Sequence, residues 1–131
     1  ARCLAQSGDR HCVMLPGGTL RSADMTLAGA NALRFASQLH PDYLIVSVAA
    51  LSARGGCLDF DPFEVEFKQA VQPHASQVIV VADASKFEAP GLITSLPWSE
   101  VQVLVTDRAL PEDLARATAH LRHVLVDEAR A

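Results

Sequence analysis

Lysine is nearly missing from this chain. Of its eleven basic residues in 131, only Lys68 and Lys86 are not arginine. Cysteine is scarce too: Cys3, Cys12 and Cys57 are odd in number and contain no Cys-x-x-Cys pair. That excludes a disulfide framework or zinc ribbon and fits free thiols in a reducing compartment. No hydrophobic run approaches the length of a membrane-spanning helix. The formal charge of −4 argues against this stretch gripping nucleic acid unaided. Three cofactor and nucleophile signatures are absent: the dinucleotide G-x-G-x-x-G, the phosphate-loop lysine motif and the G-x-S-x-G elbow. His120 and His123 are three apart with no further ligand to complete a metal site. No cofactor or metal is expected.

The length suits one domain with one core. There is no initiator Met or secretory signal, and Ala1 to Gln6 read as the middle of a helix closed by Gly8-Asp9. The chain is therefore expected to be a later part of a longer protein. Cys12-Val13-Met14-Leu15 reads as a short strand running into a Pro16-to-Ser22 loop. Apolar spacing from Leu27 to Leu39 predicts a helix, stopped at His40-Pro41. Tyr43 to Val48 is a second strand, followed by a loop from Ser52 to Asp59. Asp61-Pro62-Phe63-Glu64 starts a helix with a cap, a proline at the first position and a capping-box glutamate.

A valine-rich run at residues 77–82 predicts a buried strand. After it come a long polar loop over 83–99, a strand from Val101 to Val105, a helix from Pro111 to about residue 120, and a last strand at His123 to Val126. This alternation implies an α/β fold with a mostly parallel sheet and helices on both faces.

In such sheets ligands gather beyond the carboxyl ends of the strands. Asp83 and Lys86, directly after the valine-rich strand, are thus candidates to hold an anion and a hydroxyl. The simpler reading of the same spacing is a local salt bridge, or an Asx turn at Asp83 that closes the strand. Glu64 and Lys68 are a favourable i,i+4 surface pair, or a second charged pair at a helix start facing the crevice. Gly17 and Gly18 can offer backbone N–H groups to a phosphate or merely turn the chain. Arg21 can add a bidentate contact or stand solvated. Cys57 lacks a base partner and reads as a small buried residue.

These residues carry a resemblance. Leu15-Pro16-Gly17-Gly18-Thr19-Leu20-Arg21, Gly29, Asp42-Tyr43, Gly55 through Asp61, Glu64 with Lys68, Val81 through Phe87 and Val105-Thr106-Asp107 resemble the carboxy-terminal effector-binding domain of the DeoR family of bacterial transcriptional regulators. Within it, Leu58-Asp59-Phe60-Asp61 with Glu64 and Lys68 looks most like glycerol-3-phosphate regulon repressors. The resemblance implies a Rossmann-like fold shared with sugar-phosphate isomerases and CoA transferases. It also implies a partial sensor domain over 1–131, its first part and a DNA-binding helix-turn-helix lying upstream. Its partners would be a phosphorylated sugar or polyol effector, operator DNA through the upstream domain, and further copies of the chain in a cytoplasmic homo-oligomer without membrane contact. The implied effector residues are Asp83, Lys86, Lys68 and Glu64, with Gly17, Gly18, Arg21 and Ser47 around them. Ser47 and Ala50 stand where relatives commonly carry glycine, and Glu88 replaces another usual glycine. The alternative function is an isomerase-like or transferase-like enzyme on the same fold, which needs a general base; Glu64 or Asp83 would have to supply it.

Overall fold

Short β-branched runs and amphipathic segments alternate to build three sheets in the computed structural model, which describes residues 11–22 and 26–126. Strands β1 (Thr19–Arg21) and β2 (Thr26–Ala28) pair antiparallel. Helix α1 (Ala30–Ala36) follows, then β3 (Tyr43–Val46), β4 (Ala50–Ser52) and β5 (Gly56–Asp59). Helix α2 spans Pro62–Val71 and leads to β6 (Gln77–Ala82). Strands β7 (Ile93–Leu96) and β8 (Val103–Thr106), helix α3 (Glu112–Ala117) and β9 (Arg122–Leu125) complete the order.

The central sheet is parallel, in the order β3-β6-β8-β9. Its register puts Leu44 beside Val78, and Val46, Val80 and Leu104 in a row. These side chains share one face and pack with Val71, Leu114, Leu121 and Trp98 in a single core. Val78, Val80 and Leu104 are essentially sealed from water, which stabilises the fold by roughly 1.5–3 kcal/mol per side chain. The strands are added in one direction, and Val71 of α2 and Leu114 of α3 pack into that same core. Tyr43, Ile45 and Val81 alternate onto the opposite face and are exposed.

A further, antiparallel sheet of order β4-β5-β7 begins just after β3, and its Leu51 bridges to Phe87 beyond the end of β6. Trp98 joins the two sheets by donating its indole N–H to the Ser52 carbonyl at 2.9 Å. Gly56 sits at φ +78, where a Cβ would meet the Leu96 carbonyl oxygen at 2.5 Å. Only glycine fits that close backbone approach.

The α/β architecture and the parallel sheet are as the alternation implied. Several local expectations fail. Cys12 to Leu15 form no strand, and Met14 and Leu15 are exposed. They have no ladder neighbour, because β1 pairs with β2 instead. The helix expected from Leu27 is shorter, since Leu27 belongs to β2 and Gly29 breaks the chain at φ +113. The loops expected over 52–59 and 83–99 contain β5 and β7, strands too short to show periodicity. The expected helix tail at residues 1–7 lies outside the described residues.

Candidate functional site

Strands β6 and β8 end in register, so Asp83 and Asp107 stand side by side at their carboxyl ends, while β3 stops two residues earlier, opposite Val80, and is followed by Ser47. Helix α2 starts beside Ser47. Its buried stripe is Val65, Lys68 and Val71, so a lysine takes a core position. Lys68 Nζ donates to Asp59 Oδ2 at 2.6 Å and to the Ser47 carbonyl at 2.7 Å. The other Asp59 oxygen accepts from the Ala49 N–H at 3.1 Å. Burial of two opposite charges is tolerable here because each is hydrogen-bonded as well as paired.

A second charged group stands at the start of α2. Arg21, on β1, donates to the Asp61 carboxylate and, at 2.9 Å, to Glu64 Oε1. Asp61 also caps α2, its Oδ1 accepting from the Phe63 N–H at 2.9 Å. Between α1, α2 and the end of β3 lies a crevice of about 570 Å³. Arg21, Ser47, Glu64 and Lys68 line it together, with Leu33, Ile45 and Phe67 among its apolar walls. A smaller hollow of about 260 Å³ beside it is lined by Ser47, Asp59, Asp61 and Glu64. The expected Glu64–Lys68 surface pair is thus replaced by two longer-range contacts: Glu64 turns to Arg21 and Lys68 to Asp59.

Asp83 and Lys86 stand beyond the end of β6 but line neither hollow. Asp83 is exposed and makes an Asx turn, accepting from the Ser85 N–H at 2.8 Å. Hydrogen bonds from the Ser85 hydroxyl and N–H hold its carboxyl below the ordinary carboxylate range. Lys86, half-buried, ends the 3-10 turn Ala84–Lys86. Asp107 fastens that turn to β8 by accepting from the Ala84 N–H at 2.7 Å. Gly17 and Gly18 are exposed ahead of β1 and line neither hollow.

Asp59 and Asp61 are the residues that the motif reading left without a place in the site. Asp59 gave no legible signal, because its burial depends on β5, a strand too short to show periodicity. Cys57 itself is fully buried, and burial pushes its thiol up to about 12. Among the described residues, no three His, Cys, Asp or Glu side chains gather as a metal site would require, and no helix is long and apolar enough to cross a membrane.

Residues 2–108 match the family described as the DeoR C terminal sensor domain. The HTH-type transcriptional repressor CsqR of Escherichia coli is 34% identical over 102 residues, covering 78% of this chain and 39% of that protein. The glycerol-3-phosphate regulon repressor of Escherichia coli is 33% identical over 99 residues, covering 76% and 39%. The HTH-type transcriptional regulator GlpR of Haloferax volcanii is 30% identical over 101 residues, covering 77% and 40%. The chain therefore spans about two fifths of the length of these curated relatives.

Proposed function

We propose that this chain, which belongs to the DeoR C-terminal sensor domain family, senses a small phosphorylated sugar or polyol on behalf of a transcriptional repressor. Its role is regulatory and not enzymatic, as its family and its repressor relatives are. The observation that carries the ligand reading is the convergence of Arg21 and Lys68, from separate elements, on one crevice at the carboxyl end of β3.

A guanidinium fork suits phosphate oxygens. The Glu64 carboxylate and the Ser47 hydroxyl are placed to accept from ligand hydroxyls. Lys68 turns two of its three N–H groups to Asp59 and the Ser47 carbonyl and keeps the charge of the crevice floor fixed. Asp83 and Lys86 extend the site past the end of β6, and Gly17 and Gly18 offer backbone N–H groups from the β1 side. Glycerol 3-phosphate is the first candidate, because one relative is named for that regulon.

In the whole protein an upstream helix-turn-helix binds operator DNA, and copies of the sensor associate in the cytoplasm. Ligand binding then shifts the balance between arrangements of different DNA affinity. A melting screen of glycerol 3-phosphate and sugar phosphates against their unphosphorylated parents tests the ligand class. Ligand at a hundred times its Kd adds about 2.7 kcal/mol of stability, a shift of several degrees. No shift with any phosphorylated compound, or equal shifts with Arg21→Gln, would overturn the reading.

A further inference from the structure

We propose that Asp61 and Glu64 are an internal competitor for the ligand's anion at Arg21, so that capturing the ligand severs the tie between β1 and the start of α2. This inference rests on the phosphate-sensing reading of the same crevice and adds how the site is regulated.

The crevice is not simply cationic. Arg21 and Lys68 face the three carboxylates of Asp61, Glu64 and Glu66 around its walls. The two cations differ in availability. The Lys68 side chain is 8% exposed and fastened to Asp59, whereas Arg21 is 38% exposed. Arg21 is therefore the exchangeable group, and its fork is already held by carboxylates of the geometry that an incoming phosphate would offer.

The carboxylates also have somewhere to go. Asp61 keeps its cap bond to the Phe63 N–H through Oδ1, while its Oδ2 serves Arg21. Glu64 stands in the first turn of a ten-residue helix, where the amino-terminal end of the helix favours negative charge. Both anions stay stabilised after Arg21 leaves them. The exchange costs little at α2 while it breaks the contact between elements that are distant in sequence. It lowers the affinity for the ligand and makes occupancy of the crevice incompatible with the resting β1–α2 tie.

The test is a mutant cycle in the full chain, titrated calorimetrically with glycerol 3-phosphate and with inorganic phosphate. Asn at 61 keeps the helix cap, so the Asp61→Asn/Glu64→Gln double variant removes charge with little structural loss. Competition predicts that it binds the phosphate probes about tenfold more tightly than the parent. In an Arg21→Gln background, the same two changes should leave affinity almost unchanged. Equal tightening in both backgrounds would reduce the effect to the general field of two carboxylates and overturn the proposal; so would no tightening at all. If the double variant fails to fold, Glu64→Gln alone leaves the cap residue intact and must show the same dependence on Arg21. Failure of the parent to bind either probe would instead sink the phosphate-sensing reading, and the competitor with it.

Discussion

Lys68 and Asp59 form an ion pair of 2.6 Å with side chains only 8% and 3% exposed. Their contact links α2 to β5, and through the Ser47 carbonyl and the Ala49 N–H it also fixes the turn after β3. The floor of the crevice is therefore a buried knot of opposite charges.

Removing one member leaves the other charged and buried. Asp59→Ala should destabilise the fold by about 3–5 kcal/mol, because the Lys68 ammonium loses its counter-charge. A double change to apolar residues of similar size, Asp59→Leu with Lys68→Met, should recover most of that loss. Urea denaturation of the parent and the two variants measures this. A double variant no more stable than Asp59→Ala would mean that the pair holds the turn chiefly through its hydrogen bonds.

Cys57 provides a pH-dependent contribution on the same strand. Its thiol is raised from an ordinary value of 9.0 to about 12, chiefly by burial. Well below pH 9 the thiol is neutral whether the chain is folded or not, and the residue makes no pH-dependent difference. As pH rises above 9, the unfolded thiol ionises while the folded one does not, so the stability is lost progressively up to about 12. Cys57→Ala should flatten the alkaline limb of a stability-versus-pH curve while lowering its plateau through the cavity it leaves. In native protein a thiol reagent should label the exposed Cys12 and spare Cys57.

The sequence was most readable where one local rule dominated. Residues 77–82 form a strand in full because a β-branched run of that length has few alternatives. Asp61-Pro62 starts α2 because capping and proline geometry act within four residues. Of the motif-derived site residues, Arg21, Ser47, Glu64 and Lys68 meet around the crevice, while Asp83, Lys86, Gly17 and Gly18 do not line it. What stayed hidden was partner choice. Spacing pairs Glu64 with Lys68, yet tertiary folding brings Arg21 from β1 to Glu64 and Asp59 from β5 to a buried Lys68, and these contacts replace the helical i,i+4 pair. The hairpin of β4 and β5 stayed hidden for another reason: Gly55-Gly56 marks a turn but not whether strands of three and four residues meet there.

Gly56 is the point at which that hairpin meets β7. With φ +78 and the Leu96 carbonyl 2.5 Å from where a Cβ would stand, Gly56→Ala combines backbone strain with overpacking. It should cost about 3 kcal/mol. At Gly17 a Cβ would meet nothing within 4 Å, so alanine there should change stability by under about 0.5 kcal/mol. Thermal melts of the two variants provide the comparison, and equal losses would contradict the close approach.

Glu88 takes the left-handed conformation, φ 49, that glycine adopts readily. Its backbone N–H donates to the Leu51 carbonyl at 2.8 Å, and its carboxylate accepts from the Ala53 N–H at 2.9 Å. The side chain thus offsets a strain that it also creates. Glu88→Ala keeps the strained Cβ and loses the acceptor, so it should be the least stable form, by about 1 kcal/mol. Glu88→Gly loses the same acceptor but relieves the strain, and should be more stable than Glu88→Ala by about 1 kcal/mol. Chemical denaturation of the series tests the balance. If alanine and glycine proved equally stable, the conformation at residue 88 would impose no cost.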